Sequence, residues 1–388
     1  MKRIRFWLVW IGMTVCSLLH AQQDSIQFSL LTCAPGTEIY ELFGHTALRY
    51  QNFSRRQDVV FNYGMFSFNT PHFVFRFVKG ETDYQLGVMP YSYFKEEYTA
   101  RGSSVYQQVL NLSSSEKQRL LHLLEENYLP ENRVYRYNYF YDNCTTRARD
   151  QIEKCIEGTV VYPDSFPDRT FRSIVHEFTA DAAWSELGID WCLGAEADEP
   201  VSKRQQMFAP FYMKAYAANA YILGDKNEKR PLILREEKIV DVEPLQHDPF
   251  FCPPVWCAIF LLMISVGVGW LQLRRRCIYW GWELFLFGLQ GVAGCIVAFL
   301  FFFSVHPTVG SNWLLVVFNP IPLIYLPFMI YFTLKGKKDS YHLLNVSVLT
   351  LFMVIIPFCS QEFNLTVLPL ALSLLVTSAS HVLVLNRK

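Results

Sequence analysis

Residues 254–273 run for 20 positions without a charge and stop against Arg274-Arg275-Arg276. A stretch of that length and composition crosses a bilayer as a helix, because only a helix satisfies every backbone polar group within hydrocarbon. Four more apolar stretches follow at 278–303, 313–334, 343–359 and 365–385. The loops between them are alternately uncharged and basic, the basic ones being Arg274 to Arg276, Lys335 to Lys338 and the final Arg387-Lys388. Every second loop carries the positive charge, so those loops face the cytoplasm and everything before Pro254 lies outside the inner membrane. Residues 254–388 are therefore expected to form an all-α bundle of five transmembrane helices.

The start of the chain reads as an export signal. Lys2, Arg3 and Arg5 precede an uncharged run at 6–19, and Ala21 offers a small residue for cleavage. Residues 1–21 are expected to be a signal peptide, with an uncleaved anchor as the alternative. Basic and acidic residues balance at 35 each, and no basic run lies away from the membrane flanks, which argues against a nucleic-acid partner. Four of the ten cysteines fall in the exported domain: Cys33, Cys144, Cys155 and Cys192. An oxidising compartment permits disulfides, and Cys155 with Cys192 is the pair expected to bond.

Residues 22–250 alternate β-like and helical patterns, giving a single α+β domain. Stretches 28–33, 46–50, 58–64, 72–77, 104–112 and 133–140 are rich in Val, Phe, Tyr and Leu and read as strands. Ser113 to Glu116 has capping-box character and opens a helix that Pro130 ends. A second helix follows Asn143, residues 171–223 look largely helical with breaks near Gly194 and Pro200, and 230–242 reads as a late strand or hairpin.

The chemistry concentrates in "YNYFYDNCTTRARD", residues 137–150. If Asn143 caps the helix, Cys144 is its first residue, where free N–H groups and the positive dipole end favour a thiolate. A nucleophilic thiol needs a base, and His45 in "ELFGHTALRY" enters a strand directly after Gly44. Asn62, in "VFNYG" on the next strand, can fix the imidazole tautomer. Each residue also has a plainer reading: a packed cysteine, a hydrogen-bonded turn histidine, a turn asparagine. Together, histidine, then amide, then helix-initial cysteine is the order of a circularly permuted papain-like core. Arg147 and Arg149 could reach a lipid phosphate or simply pair with Asp150 and Glu153. His306, Asn312 and Asn319 flank the third span on the exported side, to shape lipid access or to cap helices. "HEFTA" at 176 lacks the second histidine of a zinc protease, no Cys/His cluster has ligand spacing, and the glycines of "VGVGW" lie within a span, so neither metal nor cofactor is expected.

The stretches "LLTCAPGTEIYELFGHTALRY", "FNYGMFSFNTPHFVFRFVKGETDYQLG", "PENRVYRYNYFYDNCTTRARD", "MFAP" and "HPTVGSNWLLVVFNP" together resemble the Lnb-type lipoprotein N-acyltransferases, over most of the chain. The histidine strand and the "NC" element separately resemble lecithin:retinol acyltransferase, a permuted papain-like enzyme that takes an acyl chain from a phospholipid. The resemblance implies transfer of a fatty acyl chain from a membrane phospholipid donor, through a Cys144 thioester, to the α-amino group of a diacylglyceryl-modified lipoprotein. Cys144 and His45 match its motif positions, whereas Asn62 is assigned from the strand pattern. Two other readings stay open: a papain-like cell-wall peptidase or amidase, and a non-catalytic membrane assembly factor.

Overall fold

The computed structural model describes residues 25–67, 69, 71–243, 252–338 and 340–386. The expected signal segment, 1–21, lies outside them. The N-terminal part is built on a seven-stranded antiparallel sheet whose strands are β1 Ile26–Cys33, β2 His45–Asn52, β3 Gln57–Met65, β4 Asp83–Pro90, β5 Val105–Leu110, β6 Val134–Arg136 and β7 Ile233–Val240. Their spatial order is β7-β5-β1-β2-β3-β4-β6, so the domain's last strand returns to cover the edge beside β5. The domain's longer helices are α1 Phe73–Lys79, α2 Tyr91–Ala100, α3 Ser114–Tyr128, α4 Cys144–Cys155, α5 Phe171–Thr179, α6 Ala183–Cys192 and α7 Pro210–Asn219, and a three-stranded and a two-stranded sheet accompany them.

Strand periodicity decides which layer each residue joins. Phe28, Leu30, Leu48, Tyr50, Phe61 and Tyr63 pack with residues of α3, α4 and α7 on one face of the sheet. The intervening Leu31, Ala47 and Val60 pack with Phe94 and Tyr98 of α2 on the other. With both faces covered, the sheet is a rigid platform, and its burial of large apolar side chains supplies most of the domain's stability.

The structure departs from the sequence pattern in three places. Stretch 72–77 is not a strand but the start of α1, bracketed by His72 at φ 56° and Gly80 at φ 79°. "DYQLGVMP", which carries residues depleted in strands, is nevertheless β4, held in register by β3 and β6. Only Val134–Arg136 of 133–140 is a strand, because Asn138 and Asp142 pair across a turn that aims the chain into α4. The expected disulfide is absent, and Cys155 and Cys192 are separate thiols, the first in the sheet core and the second at the end of α6.

Five helical segments long and apolar enough to cross a membrane follow, at Pro254–Arg275, Trp280–Phe303, Leu314–Leu334, Ser340–Phe358 and Val367–Asn386. Their main helices are α8 Pro254–Arg275, α9 Trp280–Phe303, α10 Ile321–Leu334, α11 Ser340–Ile355 and α12 Val367–Asn386, and the third segment is broken between a short turn at Leu314–Val317 and α10. The sheet domain is fastened to the loops of this bundle. Arg172 of α5, 1% exposed, donates to Asp198 at 2.7 Å, to Asp190 at 2.8 Å and to the carbonyls of Leu193 and Gly194. From the bundle side Asn364 donates to Asp190, Gln361 to the Leu193 carbonyl and Asn312 to the Trp191 carbonyl, while Trp191 stacks on Phe318.

Candidate active site

The N terminus of α4 is fixed from every side. Asn143 accepts from the amides of Thr145 and Thr146 at 2.9 Å each, Thr146 Oγ1 accepts from the Asn143 amide at 2.8 Å, and Asn143 Nδ2 donates to the carbonyls of Tyr139 and Phe208. This capping box leaves the Cys144 amide, first in the helix, unused by the cap. Upstream, Asn138 Oδ1 accepts from the amides of Phe140 and Tyr141, which makes the turn that delivers the chain to this point.

Opposite stands the start of β2. Gly44, at φ 76°, lies so close to β1 that a β-carbon there would sit 2.4 Å from the Cys33 carbonyl oxygen, so the small residue admits the neighbouring backbone. His45 follows, and Asn62 of β3 shares its side of the sheet, with His45 Nε2 and Asn62 Oδ1 2.5 Å apart. The amide oxygen can only accept, so Nε2 carries the proton and Nδ1 is left to serve the thiol. The pairing of β3 with β4 slips between Asn62 and Met65, and within that bulge Gly64 stands at φ 87°. Above Gly64 the two halves meet: a β-carbon there would lie 3.4 Å from Cys144 Cβ and 3.9 Å from His45 Cε1. Thr46 Oγ1, 3.0 Å from Thr145 Oγ1, ties the same strand to the same helix.

Electrostatics make the pair reactive. Cys144 is 7% exposed, and burial by itself pushes its thiol up; the charge and hydrogen bond of His45, the Thr46 amide and the Thr145 hydroxyl outweigh that and hold it below the ordinary thiol range. For His45 burial acts downward, and the Cys144 thiolate with the bonds to Cys144 and Asn62 carries it above the ordinary imidazole value. Each of the two therefore favours the charged form of the other.

Residues that the sequence pattern did not single out also surround the thiol. Tyr135 and Tyr139 have buried hydroxyls without a hydrogen-bond partner, and burial and then the Cys144 charge raise both. Their signal was the tyrosine-rich run before Asn143, which read as a strand. From the thiol an aromatic series leads away: Tyr137 stacks on Tyr84 at 4.2 Å, Tyr84 meets Phe66 at 5.0 Å, and Phe66 meets Phe73 of α1 at 5.6 Å. On α1, Phe75 packs against Phe299 of α9 at 5.6 Å, and the Lys79 carbonyl accepts from the Val305 amide. Val74 and Phe75 are 73% and 57% exposed at the outer end of a membrane helix.

The structure brings Cys144, His45 and Asn62 together and holds the other proposed residues apart from them. Arg147 forks onto Asp142 at 2.6 and 2.8 Å and lies over the Tyr135 ring. Arg149 is enclosed by Asp150 and the Arg204 carbonyl. His306 Nε2 meets the Phe77 carbonyl at 2.6 Å, binding the outer end of α9 to α1. Asn312 and Asn319 cap the Leu314 and Ile321 amides.

Among known families, the model of the Lnb N-terminal periplasmic domain matches residues 18–176, and that of the Lnb transmembrane domain matches residues 246–388. No curated protein and no solved structure matches the chain.

Proposed function

The chain belongs to the Lnb family, a multi-pass inner-membrane protein with its sheet domain in the periplasm, and from that premise we propose that it moves a fatty acyl chain from a membrane phospholipid to the α-amine of a diacylglyceryl-modified lipoprotein. The observation that carries this reading is Cys144 at a helix N terminus beside His45, its thiol held below the ordinary range, on a platform from which aromatic side chains run to the outer end of a membrane helix.

In the proposed first half-reaction Cys144 Sγ attacks a phospholipid ester carbonyl. The C–S bond forms, and the negative charge that develops on oxygen meets the Cys144 amide, the helix N terminus and the Tyr135 or Tyr139 hydroxyl. Collapse breaks the ester C–O bond, the His45 imidazolium protonates the leaving alkoxide, and lysophospholipid departs. In the second half the neutral amine attacks the thioester, His45 takes its proton, the C–N bond forms, and the C–S bond breaks to restore the thiolate. An α-amine titrates near about 7.7–8.0, so a useful fraction is neutral at ordinary pH. Arg147, with 23% of its side chain exposed, is the arginine proposed to meet the donor phosphate, while Arg149 holds α4 in place. His306 is proposed to set the position of α1 beside the lipid.

The test is to incubate purified protein with acyl-labelled phospholipid and map the label. Acylation of Cys144, discharged by a lipopeptide with a free N-terminal amine and absent in Cys144→Ala, is the expected result. Label that never reaches Cys144, or turnover of murein peptides without any acyl adduct, would put the peptidase reading in its place.

A further inference from the structure

Glu283 of α9, His342 of α11 and His381 of α12 converge inside the bundle, and none of the three is more than 1% exposed. His381 Nδ1 lies 2.9 Å from Glu283 Oε1, His342 Nε2 lies 3.9 Å from Glu283 Oε2, and the two rings stack with centroids 3.8 Å apart. One donor atom from each residue falls within 4.8 Å of the other two. His342 Nδ1 is backed by Ser378 Oγ at 3.2 Å, which also accepts from Asn345 Nδ2. Three atoms nevertheless have no hydrogen-bond partner: Glu283 Oε2, His342 Nε2 and His381 Nε2. A polar atom left unsatisfied inside a bundle is costly, and here three belong to one cluster of side chains.

We propose that Glu283, His342 and His381 form a binding site for a divalent metal ion of the zinc class. Two imidazoles and a carboxylate are the donor set such ions take, and the Ser378 contact has the form of the outer hydrogen bond that orients a ligating histidine. Ligands about 2.0–2.1 Å from a tetrahedral ion stand about 3.3 Å apart. His381 Nδ1 and His342 Nε2 lie 2.9 and 3.9 Å from the two Glu283 oxygens and the donor atoms are all within 4.8 Å of one another, so closure on an ion takes rotation of the stacked rings out of parallel and no movement of helices. Glu283 and His342 sit in the first turns of helices that follow basic loops, and His381 lies near the end of α12, so the site is at the cytoplasmic end of the bundle, across the membrane from Cys144. Its role is to clasp three spans. The ligands come from three separate spans, with no spacing motif in the sequence.

Full-length protein, purified in detergent without a histidine tag, stripped of metal and with its thiols blocked by iodoacetamide, is titrated with Zn²⁺ and separately with Co²⁺. Wild type is expected to take up about one equivalent, to show the visible absorption of low-symmetry Co²⁺ and to unfold at a higher temperature when loaded. Glu283→Gln and His381→Ala are each expected to weaken binding at least about tenfold. His176→Ala is expected to leave it unchanged, since the other carboxylate–histidine group, His176 with Glu186 and Asp190, already has Asp190 bonded to Arg172 and Asn364. Only trace uptake by wild type, or uptake by a monodisperse, helical Glu283→Gln equal to wild type, would overturn the proposal.

Discussion

Burial raises the thiols of Cys155 and Cys192 to about 12 and about 11, and it pushes on Cys144 in the same direction. What differs at Cys144 is the imidazole above Gly64. A thiol held below its ordinary range keeps its thiolate to lower pH than an ordinary one, so below the ordinary thiol range iodoacetamide is expected to alkylate Cys144 in preference to Cys33, Cys155 and Cys192. His45→Ala removes the largest lowering contribution and leaves burial opposed only by the Thr46 amide and the Thr145 hydroxyl, so alkylation in that range should drop by at least about tenfold and acyl transfer by about 10²-fold or more. Unchanged labelling in that variant would detach His45 from the thiol. Asn62→Ala is expected to cost less, because it frees the ring without removing it. At this scale the sequence was informative only in combination: a capping asparagine before a cysteine, a histidine opening a strand and an amide on the next each have a plainer reading, and it is their joint order that put them in one place. Tyr135 and Tyr139 were not legible, since whether a tyrosine hydroxyl is buried and unpartnered depends on the turn at Asn138 and on packing from α7's approach near Phe208.

Among the elements, α1 shows where pattern reading fails. Phe, Val and Phe in succession fit a strand, but Phe73 and Phe77 are also one helical turn apart, and the segment has a membrane helix rather than a sheet to pack on. Strand β4 failed in the opposite sense, because its partners supply an order that its Gly and Pro do not. Of the five strands that were legible, β1, β2, β3 and β5 lie centrally in the sheet, where burial on both faces enforces the residue types, and β7, read from 230–242, lies at its edge. The exposed face of α1 leads to a prediction. Phe75→Asp puts a charge where the helix meets the bilayer, and the loss of one aromatic side chain from lipid is worth about 2–3 kcal/mol. Acyl transfer from vesicle phospholipid is expected to fall at least about tenfold, while transfer from a short-chain dispersed donor stays near wild type. Equal loss on both donors would mean that α1 supports the fold and not lipid access.

For the whole molecule, the membrane topology was legible because charge-free length and basic loops are one-dimensional signals. The fastening between domain and bundle was not, since its bonds join the end of α6 to loops more than a hundred residues later. Arg172→Ala leaves Asp190 and Asp198 buried without their cation, a change worth about 3–5 kcal/mol, and is expected to lower the unfolding temperature in detergent. The same seam carries a pH dependence. The hydrogen bond to Asp190 raises His176 against the effect of its burial. A raised histidine contributes its stabilisation below the ordinary value of about 6.5, and loses it as the pH climbs through the raised one. Wild type is therefore expected to unfold at a lower temperature at pH about 9 than at pH about 6, and His176→Gln to reduce that difference.

A domain bolted down in this way cannot swing between two partners. Its thiol stays at one height above the outer leaflet, so under the proposed reaction donor and acceptor would take turns at a single berth, each arriving by sideways travel in the membrane. In that reaction the spent lipid has to drift off before the lipoprotein can slide in. Crowding the membrane with acceptor should then slow the loading step by occupying the berth too early, and initial rates measured at rising acceptor density in the same vesicles should pass through a maximum instead of levelling off.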